Sequence, residues 1–444
     1  MTTDKDEGDS ITLNEIKEKL NDVDFLQIFS TDLNGRPVTL QINPKTIDSV
    51  FERGVGFDGS SVPGYGHVED SDRLLVPLAD SFHIVDLESG KLGFLIGKVN
   101  SEKGHRSKSD PRALLEKMVS RAETEFGFKF LLGPEHEFFL LTGEQFNKDI
   151  HTDNAGYFHA ARDKGEEVRK QIVGVLEKCG ITYEKTHHEV TASQHEVNLE
   201  PLDPLRAADR TVLFNYITQK VAENFGYHAT FMPKPFSGQN RSAMHIHLSM
   251  MDLEGRNLFY QKDCDYNLTS DARQFIGGVL KYARETSIIM ASTFNSYKAY
   301  IFGKEAPIIR GWGLQNRSSM IRVPDSGDSQ NIRIELRNPD PGGNIYLQMA
   351  AFIGMGLKGI QEKLDCEEPD AGNTYEKKYA ARLWDERFLP RSMYEALVEA
   401  ERSQFLRELL GDLLYEEFME LKTAEWEEHR IYISAKEHKD YLRI

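Results

Sequence analysis

At 444 residues the chain is long enough for more than one domain, and 39% apolar against 28% charged residues is an ordinary globular balance. Its 54 basic and 71 acidic side chains leave a net charge of −17, which argues against nucleic-acid binding but allows one small phosphorylated ligand at a local basic patch. No apolar run approaches the roughly 20 residues of a membrane span, the start lacks an apolar signal core, and Cys179, Cys264 and Cys366 form no CxxC pair, so reduced thiols in a cytoplasmic protein are expected.

Residues 1–10 read as a loose polar tail. Strands are predicted at 25–29 and 38–42, joined by a turn at Asn34-Gly35, with another at 94–99. The polar, charge-rich run 101–109 is the best linker candidate. Asp110-Pro111 then reads as an N-cap with proline at the first helical position. Leu114, Leu115, Met118, Val119, Ala122 and Phe126 continue a helical stripe that Gly127 ends. Further helices are predicted near 166–179, 204–225, 271–291, 344–364 and through 391–430, with short strands between them. The expected organisation is a β-rich domain over 11–105 followed by a large α+β domain over 106–444.

Four polar clusters interrupt this pattern. In the strand-like Gly133-Pro134-Glu135-His136-Glu137, period-two alternation puts Glu135 and Glu137 on one face. His187, His188 and Glu189 precede His195 and Glu196; Ala192 breaks a zinc-protease HExxH. Glu189 and Glu196, seven apart, share a site only if the chain bends between them. His245 and His247 face one way between apolar neighbours, and so do Arg333, Glu335 and Arg337. Each cluster alone also fits a solvated strand or a satisfied core histidine. Burying the charged face of the last costs several kcal/mol per ion unless each charge is paired. Arg317, Arg322, Arg333 and Arg337 suggest an anion site for phosphate or carboxylate. Carboxylates and imidazoles suit Mg²⁺ or Mn²⁺, and no Walker A motif is present, so phosphoryl transfer on a scaffold without a P-loop is indicated.

In this order the clusters resemble glutamine synthetase of the bacterial and archaeal type, from about residue 20 to the end. Matching pieces also occur at Phe57-Asp58-Gly59-Ser60-Ser61, Lys234-Pro235, Asn295 to Lys298, Glu305 to Pro307, Asn316-Arg317 and Ile321-Arg322. The resemblance implies a β-grasp N-terminal domain and a catalytic domain with a strand-lined active-site funnel. It implies one metal on Glu137, Glu189 and Glu196 and another on Glu135, His245 and Glu335. Arg317, Arg322 and Arg337 would clamp phosphates and the reacting carboxylate, and His247, Ser249 and Arg333 would meet ATP. Asp58 would take a proton from ammonium, with Tyr157 on the same side, and Glu305 would close the site as a flap. Partners would be a small acid and ammonia. The assembly would be a homo-oligomer, a dodecamer of two hexameric rings with active sites between subunits.

The acid-binding side departs from the family pattern. Ala299 stands where the family usually has an arginine for the substrate's α-carboxylate. Asn240-Arg241-Ser242-Ala243 replaces Asn-Gly-Ser-Gly, so Arg241 would intrude beside the acid. Two substrate readings stay open at this point: glutamate, with Arg241 or Arg310 supplying the lost charge, or a different acid or an organic amine. A catalytically silent, ring-forming relative is a third reading. Tyr375 is followed by Glu-Lys-Lys and not by the family's Leu-Pro-Pro pattern, so adenylylation control is not expected.

Overall fold

The structure, a computed structural model, describes residues 11–143, 151–304, 306–324, 331–376 and 382–444; the expected tail at 1–10 and Glu305 lie outside the described residues. The N-terminal part holds β1 (Phe25–Thr31), β2 (Pro37–Ile42), β3 (Val55–Asp58), β4 (Asp72–Pro77), β5 (His83–Leu87) and β6 (Gly90–Ser101), with helices α1 (Leu13–Lys19) and α2 (Ile47–Arg53). These strands make one sheet, ordered β2-β1-β6-β4-β3, with β5 also paired to β6. Only β1 and β6 run parallel.

Strand alternation gives this sheet two buried faces. Leu26, Ile28, Leu95 and Val99 meet Ile16 of α1 and Ile47 and Val50 of α2 in a local core. Phe29, Leu92, Phe94 and Ile96 face the other way and join the main core of the chain. At the β1–β2 turn, Gly35 takes φ 86° and lies so close to the Asn344 backbone that a Cβ would sit 2.6 Å from its Cα. Asn344 seals that contact by donating to Thr31 Oγ1 at 3.2 Å and to the Asp32 carbonyl at 2.9 Å.

The second part begins with α3 (Pro111–Arg121), capped by Asp110 as the sequence predicts. Its strands are β7 (Phe128–Thr142), β8 (Tyr183–His188), β9 (Gln194–Leu199), β10 (Tyr227–Thr230), β11 (Ile246–Asp252), β12 (Trp312–Leu314), β13 (Ile321–Val323) and β14 (Ile334–Leu336). They form an eight-stranded sheet, ordered β12-β13-β14-β11-β7-β9-β8, with β10 added to β7. Around it lie α4 (Glu166–Lys178), α5 (Pro204–Asn224), α6 (Ser270–Tyr282), α7 (Ser287–Met290) and α8 (Ile345–Glu362). The chain ends in α9 (Met393–Arg402), α10 (Gln404–Leu410), α11 (Asp412–Ile431) and α12 (Ala435–Tyr441).

Two predicted helices are broken. The stretch 271–291 splits into α6 and α7, where the Thr286 and Ser287 hydroxyls bond back to the Tyr282 and Ala283 carbonyls. The stretch 391–430 divides into α9, α10 and α11. The Ser403 hydroxyl caps α10, and Gly411 at φ 76° restarts the chain as α11. The linker candidate at 101–109 is pinned: Ser107 N–H donates to the Val99 carbonyl at 2.9 Å, and Arg106 bonds Glu116 at 3.1 Å and also Asp110.

Candidate active site

One face of the eight-stranded sheet is polar because its strands are alternately patterned. On β7, His136 and Phe138 turn inward, His136 bonding Thr211 at 3.1 Å and packing on Phe214, which leaves Glu135 and Glu137 on the opposite face. On β11, Ile246, Leu248 and Met250 are buried in the core, and His247 and Ser249 look out with the two glutamates. The bend that Glu189 and Glu196 require is a β8–β9 hairpin. Ser193 adopts φ 65°, and Glu189 N–H donates to the Gln194 carbonyl at 2.8 Å, so the chain reverses between the two carboxylates.

The first convergent group is Glu135, His245 and Glu335, with ligand atoms all within 4.8 Å of one another. His245 Nδ1 lies 2.9 Å from Glu135 Oε2 and 3.6 Å from Glu335 Oε1. Arg333 Nε donates to His247 Nδ1 at 3.1 Å, so the neutral ring carries its proton on Nε2 and donates it to Glu135 Oε1 at 3.2 Å. Arg322 donates to Glu335 Oε2 at 2.6 Å, and Arg337 donates to Glu335 Oε1. Burial alone would raise Glu335, but the Arg337 charge, with His247 and His245 beside it, holds it down to about 2. Burial likewise acts against Glu135, and its bonds to His245 and His247 carry it well below the carboxylate range.

His187, Glu189 and Glu196 form the second group, again with ligand atoms within 4.8 Å. His187 Nε2 lies 2.8 Å from Glu189 Oε1. The family resemblance assigns Glu137 to this set as well. The Glu137 Oε2 atom accepts from Gln194 Nε2 at 2.8 Å and from Ala243 N–H at 2.9 Å, which holds the carboxyl beside the group. Glu137 still feels the group: burial first, then the charges of Glu189 and Glu196, push its carboxyl well above the ordinary range. Burial and the charges of Glu135 and Glu189 do the same to Glu196. Burial and neighbouring carboxylates together raise Glu137 and Glu196, a state a bound cation would relieve, and the oxygen and imidazole donor set suits a hard divalent ion. Arg322 Nε and Arg337 Nε are buried donors with no acceptor among the described residues, as a site for an anion's oxygens requires.

The remaining expected residues divide. Tyr157 stacks on Phe158 with ring centroids 4.0 Å apart and meets the His187 ring edge-on at 5.3 Å, beside the second group. Arg317 is exposed, its carbonyl accepting from the Tyr375 hydroxyl at 2.8 Å. Asn240 is half-buried, its N–H donating to Thr191 Oγ1 at 3.3 Å. Asp58 belongs to neither group: exposed at the end of β3, it accepts from the Ser60 and Ser61 hydroxyls at 2.6 Å, which hold its carboxyl below the usual range.

Arg241 differs from expectation. Only 4% exposed, it donates to the Asn338 carbonyl at 3.1 Å and to the Arg337 carbonyl, with its guanidinium carbon 5.8 Å from the Tyr300 ring centre. Its donors are committed to main chain and Ala299 is also buried, so neither presents a charge to an acid. Two further polar side chains, His187 and Lys185, face these groups, with Lys185 Nζ 3.8 Å from Glu196 Oε1. Period-two counting was the available signal, since Lys185, His187 and Glu189 are successive same-face positions.

Comparison with known proteins identifies the family. The family model for the glutamine synthetase β-grasp domain matches residues 22–101, and that for the glutamine synthetase catalytic domain matches residues 108–441. The chain is 37% identical to glutamine synthetase of Thermotoga maritima over 98% of this chain and 99% of that protein. It is also 37% identical to glutamine synthetase of Methanosarcina mazei over 97% of each. A solved structure titled as a GmaS/ADP complex superposes with a TM-score of 0.87 at 27% identity, covering 98% of this chain and all of that one. The chain therefore belongs to the glutamine synthetase family, and its activity is that of an ATP-dependent ligase forming a carbon–nitrogen bond.

Proposed function

We propose that the chain makes glutamine from glutamate, ammonia and ATP through a γ-glutamyl phosphate. The observation that carries this reading is the meeting, on one sheet face, of Glu135, His245 and Glu335 with His187, Glu189 and Glu196 beside Arg322, Arg333 and Arg337. A carboxylate resists direct amidation because oxide is a poor leaving group. Transfer of the ATP γ-phosphoryl group onto the carboxylate oxygen turns that oxygen into a phosphate leaving group. Ammonia then adds to the carbonyl carbon, phosphate departs, and the surplus proton is lost.

Mg²⁺ or Mn²⁺ on the two groups, with Glu137 in support, would supply charge stabilisation for the transferring phosphoryl group. Arg322 and Arg337 orient its oxygens, Arg317 assists from the exposed rim, and His247, Ser249 and Arg333 meet the nucleotide. Asp58 takes the proton that makes ammonium nucleophilic, with Tyr157 and Asn240 at the substrate side and Glu305 excluding water. Asp58's place on the N-terminal sheet, apart from both groups, favours service to a neighbouring subunit. The assembly is accordingly a ring-built homo-oligomer, a dodecamer in the family pattern, with domains dividing near residue 105. Among the described residues no helix is long and apolar enough to cross a membrane, and a cytoplasmic location fits.

With Arg241 held on backbone carbonyls, its intrusion beside the acid falls away as a ground for a different substrate, and the charge missing at Ala299 is left to Arg310. The test is phosphate release by purified protein with ATP, ammonium and either metal against a panel of acids. Turnover with glutamate and glutamine as product is expected. Turnover with another acid alone, or with none, would reject the reading.

A further inference from the structure

We propose that Lys185 is a tethered cation of the active site that divalent ions must displace, so that it sets how tightly the nucleotide-free protein takes its metals. The sheet register places it. Lys185 pairs with Asn198, which pairs with Glu135, so these three form one row across β8, β9 and β7. His187 pairs with Glu196, which pairs with Glu137, and these form the next row on the same face. An irregularity in β8 between Tyr183 and Lys185 sets this register, and the lysine stem reaches over Asn198 toward the centre.

Its Nζ stands 3.8 Å from Glu196 Oε1 and 4.0 Å from Glu135 Oε1. Glu196 belongs to one convergent group and Glu135 to the other, so a single ammonium faces a ligand of each. Neither contact is a hydrogen bond, as befits a cation shared between two anions. The side chain is 56% exposed and unbranched, so it can withdraw when stronger cations arrive, but their entry then breaks both attractions and sets like charges close together.

The proposal rests on the two groups being metal sites, and the experiment separates the two claims. Mn²⁺ is titrated calorimetrically into full-length, nucleotide-free protein: wild type, Lys185→Met, Lys185→Gln, Lys185→Arg, and Glu196→Gln as a ligand control. The two neutral variants are expected to bind Mn²⁺ about 3–10-fold more tightly, the size of a partly exposed ion pair, and Lys185→Arg to stay near wild type. Wild-type binding weakened by Glu196→Gln, with neutral variants equal to or weaker than wild type, would overturn the role of Lys185 alone. No Mn²⁺ binding by wild type, or binding indifferent to Glu196→Gln, would overturn the metal reading and the proposal with it.

Discussion

A buried guanidinium needs acceptors, and in Arg241 these are the carbonyls of Arg337 and Asn338, where the chain leaves β14. That placement ties the backbone beside Arg337 in position. It predicts that Arg241→Met lowers stability by about 2–3 kcal/mol, because hydrogen bonds to a charged donor are lost and the Arg337 carbonyl is stranded, while that of Asn338 keeps the Tyr300 hydroxyl at 2.8 Å. The KM for glutamate should change by less than about threefold; a rise beyond about tenfold would return Arg241 to the acid pocket. At this scale the sequence was legible wherever strand alternation alone decides: Glu135 with Glu137, His245 with His247, and Arg333 with Glu335 and Arg337 all share the faces that counting assigns. It was not legible where contacts distant in sequence decide. Glu137 accepts from Ala243, 106 positions away, and nothing local to Glu137 announces that bond.

Elements are set partly by local signals and partly by what they press against. The Asp110-Pro111 start and the glycine stops after α4 and α5 are chemical signals written into the chain. The crossing of α6 and α8 is not, because it depends on two glycines far apart in sequence. A Cβ on Gly278 would lie 2.2 Å from the Met355 carbonyl oxygen and 2.6 Å from Gly359 Cα, and one on Gly359 would lie 2.2 Å from the Gln274 carbonyl oxygen. Those neighbours are backbone and cannot swing aside. Gly278→Val is therefore expected to cost about 3 kcal/mol, read as a lower urea midpoint; an unchanged midpoint would contradict the crossing. The splits at 286–287 and 403–411 have a related cause: back-bonding hydroxyls, a serine cap and a left-handed glycine override an apolar stripe that would otherwise run on.

For the molecule as a whole, the position of Asp58 has the largest functional reach. If a neighbouring subunit supplies it, Asp58→Ala and Glu335→Gln damage complementary halves of a site. Each variant alone should lose activity on the order of a hundredfold or more. Mixed rings from co-expression should regain activity at about a quarter of their sites, where both halves are wild type. No recovery in mixed rings, measured against each variant alone, would assign Asp58 to its own chain. The α+β architecture was legible from the strand-rich beginning and the helical stripes that follow it. The double burial of the N-terminal sheet was not, since local periodicity cannot say what covers a second face. That sheet is a party wall: Leu26, Ile28 and Leu95 furnish one room, and Phe29, Phe94 and Ile96 the next. Transplanting it from a distant homologue would bring its own lodgers for the first side and strangers for the second, so successful chimaeras must exchange along with it the lining of α5, whose Tyr216 packs on Phe29.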